Sequence, residues 1–272
     1  MPENTTKPFM KWAGGKTRLL AQLKERFPTD YNRYFEPFLG GGAVFFNLPK
    51  CDSYLNDFVP ELVNAYQQIC DNPNEVMDEI DKHESTKVNL DYFKKIRKLI
   101  PDELNEITRA ARTIYLNKTC FNGMYRVNQK GEFNIPMTSA KNPALYNREN
   151  ILACSEKLQG IKLSHGDYRE CLKKAKKGDF VYLDPPYLPI SKTSSFTNYT
   201  GYTFEDKEHE ELADTFAELS DRGCLVVESN AYSPVIAELY KDFSLHEIDV
   251  RRTIAAKKES RGNVKEYVIT NF

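Results

Sequence analysis

The sequence has 272 residues, of which 40% are hydrophobic and 28% are charged, and its 38 lysines and arginines nearly balance 39 acidic residues. This composition is typical of a folded globular protein and excludes intrinsic disorder as the main state. The longest uncharged stretch runs from Pro37 to Pro49, which is shorter than the roughly 20 apolar residues of a transmembrane helix. The amino-terminal residues lack the apolar segment of a signal peptide. We therefore expect a cytoplasmic protein without a membrane partner.

The cysteines and histidines give no sign of a metal centre. Six cysteines are scattered without a CxxC pair, and four histidines show neither an HExxH motif nor a cluster at metal-ligand spacing. Protein zinc sites usually depend on such spacings. We therefore expect reduced cysteines and no bound metal.

The predicted elements begin with a strand, a glycine turn and a helix. The strand covers Tyr34–Phe38, the turn covers Gly40–Gly42, and the helix covers the apolar residues directly after them. A second short strand around Ser53–Asn56 ends at Asp57. A strand followed by a tight turn and a helix is typical of α/β proteins.

The middle of the chain is predicted to be mainly helical. Apolar residues at helical spacing extend over 61–80, interrupted by Pro73, and over 90–118. Residues 124–136 then form two short extended runs around Asn128–Gly131. This pattern predicts a β-hairpin.

Strands and helices alternate again beyond residue 142. Such alternation is typical of a mostly parallel sheet with helices on both faces, so we predict an α/β fold. The closing strand is expected to be an antiparallel edge of that sheet. The predicted elements are helix 147–159, strand 161–166, a helix up to residue 177, strand 180–183, acidic helix 205–221, strand 223–230 and strand 264–271.

Spacing indicates that a second lobe is inserted into this fold. Roughly 140 positions separate the glycine turn from the strand at 180–183, whereas two or three βα units of roughly 30 residues need about 60 to 90. The surplus segment, 58–144, is basic and mainly helical. We therefore predict one domain built from residues 1–57 and 145–272, with residues 58–144 inserted into it.

Charge is distributed unevenly along the chain. Each of the windows 7–26, 109–141 and 250–265 contains six lysines or arginines and one acidic residue, whereas 203–221 contains eight acidic residues and one lysine. Three basic segments could converge on a polyanion such as a nucleic acid. Solvated helix faces produce similar windows, so this pattern alone leaves both interpretations open.

The glycine turn is a candidate site for an adenosine-containing cofactor. In EPFLGGG at 36–42, glycines allow a tight turn and a close approach of a ligand to the backbone. Asp57, at the end of the next strand, could accept hydrogen bonds from ribose hydroxyls. The dinucleotide fingerprint GxGxxG is absent, which favours a nucleoside without phosphates. A glycine turn without a ligand is the alternative.

The strongest catalytic candidates are Asp184, Pro185, Pro186 and Tyr187. They directly follow the apolar strand FVYL, and open α/β sheets bind ligands at the carboxyl ends of their strands. Proline has no N–H group, so the carbonyl groups of this rigid stretch need external donors. A carboxylate beside a carbonyl suits an exocyclic amino group, and the tyrosine ring suits a planar base. A proline-capped strand end without a function is the alternative.

Three further segments are candidate ligand contacts. KWAGGK at 11–16 does not match the GxxxxGK[ST] phosphate loop, and its Trp12 either covers a small ligand or belongs to the core. Residues 118–128 mix aromatic, amide and guanidinium groups that suit base recognition, with a buried aromatic hairpin as the alternative. Residues 191–203 are rich in hydroxyl groups and aromatic rings, and we expect a mobile loop that closes over the substrate or grips phosphates.

Five motifs of this sequence occur together in one known family. They are KWAGGK at 11–16, FEPFLGGG at 35–42, ND at 56–57, FNGMYRVNQKGEFNIP at 121–136 and DPPY at 184–187. In kind and order they resemble the Dam family of DNA adenine-N6 methyltransferases with the alpha arrangement of motifs. The similarity covers nearly the whole chain. It implies a Rossmann-like, S-adenosylmethionine-dependent methyltransferase domain at 1–57 and 145–272, with a mainly helical target-recognition domain at 58–144 that carries the hairpin.

The resemblance also implies which residues bind the cofactor and the DNA. Asp167 would approach the adenine of S-adenosylmethionine. Relatives often have arginine and tyrosine where this chain has Lys118 and Phe121, so a hydrogen bond from that tyrosine hydroxyl is absent here, although Phe121 can still stack or intercalate. The implied cofactor-binding residues are Trp12, Lys16, Phe38, Gly40, Gly42, Asp57, Asp167 and Asp184. The implied DNA-binding residues are Lys11, Phe121, Asn122, Met124, Arg126 and Pro136.

The implied reaction methylates an adenine that is flipped out of duplex DNA. The base would stack on Tyr187, while Asp184 and the Pro185 carbonyl accept the two hydrogens of its N6 amino group. The methyl group would then pass directly from the cofactor sulfonium to the nitrogen. Arg126 is expected to read a guanine through paired hydrogen bonds.

Several functional questions stay open at this point. The resemblance makes GATC the leading target sequence, and it allows roles in replication, repair, regulation or protection from a partner restriction endonuclease. An RNA adenine methyltransferase could use the same pocket. A non-catalytic DNA-binding regulator could keep the same fold.

Overall fold

The computed structural model describes residues 6–187, 204, 206–251 and 263–272. The strands of these parts form one seven-stranded sheet. They are β1 Tyr34–Glu36, β2 Ser53–Asp57, β3 Lys162–His165, β4 Phe180–Leu183, β5 Leu225–Ala231, β6 Ser244–Arg251 and β7 Asn263–Thr270. The predicted loop at 191–203 and most of the basic window at 250–265 lie outside the described residues.

The sheet has the strand order β3-β2-β1-β4-β5-β7-β6. The five adjacent strands β3-β2-β1-β4-β5 are parallel to one another, whereas β7 is antiparallel to both β5 and β6. The predicted α/β fold is therefore confirmed, and the sheet is consistent with the Rossmann-like methyltransferase fold that the resemblance implies.

Helices separate most of these strands along the chain. Those of the described residues are α1 Leu20–Lys24, α2 Pro60–Asp71, α3 Pro73–Asp81, α4 Leu90–Arg97, α5 Glu106–Thr119, α6 Arg148–Leu158, α7 Tyr168–Leu172, α8 Asp206–Asp221 and α9 Pro234–Leu239. Proline occupies the first position of α2 and α3, where its missing N–H costs no hydrogen bond. None of these helices is both long and apolar enough to cross a membrane.

The two faces of the sheet are buried in two hydrophobic clusters. Along β4, Phe180 and Tyr182 belong to one cluster, whereas Val181 and Leu183 belong to the other. Alternate side chains of a strand point to opposite faces, so a strand that is covered on both sides needs a continuous apolar run. The first cluster also contains apolar residues of α2, α3 and α5. The middle segment therefore packs into the same core as one sheet face.

The predicted helix after the glycine turn is wrong. The chain forms only a short 3₁₀ turn at Phe45–Asn47, and the next residue, Leu48, is extended with φ −89° and ψ 159°. Leu48 precedes Pro49, and the proline ring sterically disfavours a helical conformation at the residue before it. The glycine turn therefore leads into a compact loop instead of a helix.

The prediction that the closing strand is a sheet edge is also wrong. β7 lies between β5 and β6, and β6 forms the edge of the described sheet. The sequence analysis missed β6, in which Ile248 and Val250 alternate with charged residues and pack against the first hydrophobic cluster. This alternation is the ordinary signal of a strand with one buried face.

The helical pattern at 61–80 and its interruption by Pro73 are confirmed, since α2 ends at Asp71 and α3 begins at Pro73. Another predicted helix is shorter than expected. It was expected to reach residue 177 and ends at Leu172.

The predicted hairpin is confirmed. Asn128 donates its amide N–H to the Glu132 carbonyl at 2.9 Å, and Asn134 donates to the Arg126 carbonyl at 3.0 Å. The Asn128 side chain also accepts hydrogen bonds from two amides of the turn. Gly131, with φ of +77°, supplies the left-handed residue that the turn needs.

Candidate active site

The carboxyl ends of β1, β2 and β3 are joined by hydrogen bonds. Asn56, near the end of β2, donates its side-chain amide to the Pro37 carbonyl at 3.1 Å and to the Gly166 carbonyl at 3.0 Å. Its own carbonyl accepts the Leu39 amide at 2.9 Å. Because β4 runs parallel beside β1, Asp184 follows β4 at the same carboxyl-terminal side of the sheet. The topology therefore brings the predicted site residues of four loops to one side of the sheet.

The glycine turn is shaped by close contacts with its neighbours. Gly40 and Gly42 have φ angles of +49° and +66°, which other residue types rarely adopt. A Cβ atom at Gly40 would lie 2.8 Å from Cδ1 of Trp12. Trp12 therefore lies directly against the turn, and it also packs against the first hydrophobic cluster.

Asp57 holds the turn from the end of β2. One carboxylate oxygen accepts the Gly40 amide at 2.8 Å, and the other accepts the Val59 amide at 3.0 Å. The side chain is nearly buried, and this burial raises its pKa to about 6 although the backbone hydrogen bonds act in the opposite direction. Each oxygen keeps a second lone pair, so Asp57 can still accept a hydrogen bond from a hydroxyl group.

Phe38 and Asp167 lie at the same sheet edge with different surroundings. The Phe38 ring packs 5.0 Å from Tyr168 and 6.0 Å from Phe204. Asp167 caps α7 and forms an ion pair with Arg169 at 2.7 Å. Its hydrogen bonds with Arg169 lower the pKa of the Asp167 carboxyl group, so this group is a stable acceptor.

Asp184 forms an ion pair with Lys16. The Lys16 ammonium lies 2.6 Å from Oδ1 of Asp184, is almost fully buried, and also donates to the Gly14 carbonyl at 3.0 Å. Burial raises the pKa of Asp184 to about 6, Lys16 lowers it, and the charge of Glu266 raises it. Lys16 is therefore the group that favours the ionised form of Asp184 in this site.

Tyr187 is fixed by groups on both sides. Its hydroxyl donates to Glu266 at 2.8 Å, and the Lys16 ammonium lies 4.7 Å from the centre of its ring. Pro185 is buried and Pro186 is half-buried. The four residues of the DPPY motif therefore form an ordered surface with a carboxylate, carbonyl groups and an aromatic ring.

Three buried glutamates near Asp184 were missed by the sequence analysis. Glu36 accepts hydrogen bonds from the Tyr34 hydroxyl and the Phe45 amide, and burial raises its pKa to about 8. Glu228 on β5 likewise has its pKa raised by burial to about 8. Glu266 on β7 holds Tyr187. Glu228 and Glu266 could have been recognised in the sequence, because each is a charged residue within a strand at a position that faces the protein interior.

The predicted DNA-binding residues lie around the end of α5 and the hairpin. Phe121 is half exposed, and its amide donates to the Pro136 carbonyl at 2.9 Å. Asn122 has a φ of 56°, which turns the chain sharply after α5. Lys11 packs against this turn, because a Cβ atom at Gly123 would lie 2.6 Å from the Lys11 Cβ. The remaining members, Met124 and Arg126, follow directly in the chain.

The cationic groups of this surface have few partners among the described residues. Arg126 is exposed, and its Nε donates to the Asn134 side chain at 2.8 Å, while its terminal amino groups have no hydrogen bond within that part of the chain. Burial lowers the pKa of Lys118 to about 8, with a further contribution from the nearby charge of Lys11. Such a group of cations suits an anionic ligand such as a phosphate backbone.

No group of three or more His, Cys, Asp or Glu side chains that could hold a metal ion occurs in the described residues.

Comparisons with known proteins identify the same family as these motifs. The sequence model of the family described as D12 class N6 adenine-specific DNA methyltransferase matches residues 12–254. Type II methyltransferase M1.LlaDCHI of Lactococcus lactis subsp. cremoris is 44% identical over 98% of this chain and 95% of its own length. Type II methyltransferase M.MjaIII of Methanocaldococcus jannaschii is 35% identical over 98% of this chain and 99% of its own length. The DNA adenine methylase of Escherichia coli K12 is 30% identical over 95% of this chain and 92% of its own length.

The packing of the glycine turn predicts that Gly42→Ala destabilises the protein. The new Cβ atom would lie 2.7 Å from the Tyr66 hydroxyl, which donates to the Gly40 carbonyl, and the residue would keep an unfavourable φ. We expect a loss of about 3 kcal/mol in the free energy of unfolding, measured by urea denaturation. Gly160→Ala is the matched control, because Gly160 has φ of +82° and open space around it. It should lose about 1 kcal/mol. Equal losses in the two variants would show that the close contact at Gly42 has no effect.

Proposed function

The chain belongs to the D12 class of N6 adenine-specific DNA methyltransferases, and we propose that it transfers the methyl group of S-adenosylmethionine to adenine N6 within a short sequence of duplex DNA. The observation that carries this proposal is the arrangement of Asp184, Pro185 and Tyr187 beside the glycine turn, at one edge of the sheet.

The glycine turn and Asp57 fit a nucleoside that carries the methyl donor. The turn lets a ligand approach the backbone, and Asp57 is held in place by two amides while keeping free lone pairs. Trp12 and Phe38 supply apolar surface at either side of it, and Asp167 adds an acceptor. S-adenosylmethionine, when bound here, supplies a methyl group that its sulfonium already activates.

The DPPY motif is suited to hold the N6 amino group of adenine. Lys16 uses Oδ1 of Asp184, so Oδ2 and the Pro185 carbonyl can each accept one amino hydrogen. Accepting both hydrogens turns the nitrogen lone pair away from conjugation with the ring and makes it available for attack. Tyr187 is held by Glu266, which presents its ring for stacking. Alignment of this kind supplies a large part of the rate enhancement.

A base inside a duplex cannot reach this site, so the target adenine must leave the helix. Unstacking and unpairing cost a few kcal/mol. Phe121, which is half exposed just after α5, would fill the space between neighbouring base pairs. We propose that residues 58–144 act as the target-recognition domain and that Lys11, Asn122, Met124, Arg126 and Pro136 contact the DNA around the site.

The proposed target sequence is GATC, as the family resemblance implies. The names of two relatives, which are type II methyltransferases, favour a role in restriction–modification for this chain. A cognate endonuclease that cuts the same sequence would then be its functional partner.

The proposed chemistry predicts that Asp184→Ala abolishes methyl transfer to DNA, because it removes an acceptor for the amino group. Transfer is measured with radiolabelled S-adenosylmethionine on unmethylated duplex, and folding by urea denaturation followed by circular dichroism. Asp242→Ala is the control, since Asp242 is exposed and precedes β6, away from the carboxyl ends of the parallel strands. Retained turnover in Asp184→Ala would contradict the mechanism.

The same assay distinguishes the alternative functions of the unaltered protein. Transfer to structured RNA instead of DNA would identify an RNA adenine methyltransferase, and absence of any transfer would favour a non-catalytic DNA-binding regulator.

The charges around Asp184 predict opposite pH shifts for two variants. Asp184 must be ionised to accept the amino hydrogens, so kcat/KM should fall as the pH decreases through about 6. Lys16→Met removes the charge that lowers the Asp184 pKa, so this acid limb should move to higher pH. Glu266→Gln removes a charge that raises it but keeps an acceptor for Tyr187, so the limb should move to lower pH. Shifts of both variants in one direction would rule out Asp184 as the titrating group.

The contact of Arg126 with Asn134 predicts a role in reading one base. This hydrogen bond orients the guanidinium and leaves its terminal amino groups for a base edge. Arg126→Ala should weaken binding to the methylated sequence by about 1 to 3 kcal/mol and relax the requirement at one position. Lys130→Ala, at the exposed tip of the same hairpin, should weaken binding to all sequences alike. The same uniform loss in Arg126→Ala would make Arg126 a phosphate contact.

A further inference from the structure

Trp12 contacts two parts of the protein that have different proposed roles. On one side it lies against the glycine turn, where a Cβ atom at Gly40 would be 2.8 Å from its Cδ1 atom and one at Gly41 would be 3.4 Å from its Cβ atom. On the other side its ring stacks on Tyr125, with ring centroids 5.7 Å apart and an angle of 20° between the planes. One indole thus touches the proposed cofactor loop and the beginning of the hairpin.

Tyr125 is in turn tied to the hairpin. Its ring packs edge to face against Phe133 at 5.7 Å, and Phe133 pairs with Val127 across the two hairpin arms. The next residue in the chain is Arg126, the proposed base reader. A displacement of the hairpin on DNA would therefore move Tyr125 directly.

The segment that carries Trp12 also has contacts at both of its ends. At Lys11, the Asn117 side chain bonds to the backbone N–H at 3.0 Å and to the carbonyl at 2.8 Å, and it donates to the Gly123 carbonyl at 2.9 Å. At the other end, Lys16 holds Asp184. Residues 11–16 thus connect the recognition surface, the glycine turn and the catalytic carboxylate within six consecutive positions.

We propose that Tyr125 is a positioning residue that couples recognition of the target sequence to binding of the methyl donor through its stack on Trp12. The inference rests on the proposed function, because it assigns the glycine turn to the donor and the hairpin to DNA. Tyr125 itself touches neither ligand in this account. It transmits the position of the hairpin to the indole that borders the donor site.

The physical basis is the directional nature of the ring contact. Stacked aromatic rings gain energy in an offset, nearly parallel arrangement and lose part of it when they shift. If DNA binding holds the hairpin in the position that favours the stack, it also holds Trp12 against Gly40. Coupling between two binding sites is reciprocal, so the donor must then improve affinity for the target sequence by the same factor.

The test measures this coupling factor in the full chain. Calorimetry gives the Kd of S-adenosylhomocysteine for the protein alone and for the protein with a duplex that contains the target sequence. The coupling factor is the Kd without DNA divided by the Kd with DNA. We expect a factor of about three to ten in the unaltered protein and a factor close to one in Tyr125→Leu. Tyr125→Phe keeps the ring and should keep the coupling.

Two further variants separate coupling from general loss of structure. Tyr92→Leu removes another half-buried tyrosine of the middle segment, one that packs on His83 and Tyr115, and it should leave the coupling factor unchanged. If Tyr125→Leu does not fold, Trp12→Leu tests the same stack by removing the other ring. If both single variants fold, the double variant should show no further decrease in the coupling factor.

The outcomes distinguish this inference from the proposed function. An unaltered coupling factor in folded Tyr125→Leu, or a factor of one in the unaltered protein, would overturn the inference while leaving the methyltransferase proposal intact. Failure of the unaltered protein to bind S-adenosylhomocysteine at all would overturn the proposed function and the inference with it.

Discussion

The ion pair between Lys16 and Asp184 is the interaction on which the proposed site depends. Asp184 lies in a partly buried place beside Glu266, and burial together with that charge favours its neutral form. A carboxylic acid can accept fewer hydrogen bonds than a carboxylate, so the grip on an adenine amino group requires a compensating cation. Lys16 supplies it at 2.6 Å and is itself buried, where an unpaired ammonium would be strongly unfavourable. Each charge therefore stabilises the other in the only form that suits catalysis.

The amino-terminal segment links this ion pair to the glycine turn. Lys16 stands at one end of residues 11–16, and within that segment Trp12 lies against Gly40 while Lys11 packs against the turn after α5. A glycine is needed at position 40 because the indole leaves no room for a side chain there. The same short segment thereby contacts the proposed donor site, the DPPY motif and the proposed recognition surface.

The sequence predicted those parts of the site that depend on local rules. An apolar run followed by DPPY places Asp184 at a strand end, and the position of Asp57 at the end of β2 follows from the same reasoning. Glu266 was not predicted, because its role arises from a strand that pairs between two others, one of which, β6, went unrecognised. Tyr125 was not assigned a role either, since the stack on Trp12 joins residues more than a hundred positions apart. Motif and periodicity report local structure, whereas such contacts exist only after the chain has folded.

The proposed methylation of adenine at a defined sequence of duplex DNA can be observed directly with the purified protein. The purified protein is incubated with S-adenosylmethionine and unmethylated duplex DNA, and N6-methyladenine is then mapped by sequencing. The account predicts modified adenines in a single short context, with GATC as the proposed one, and a different context would correct the target while keeping the chemistry. The account would be contradicted if the protein binds the donor and the DNA but no adenine carries a methyl group.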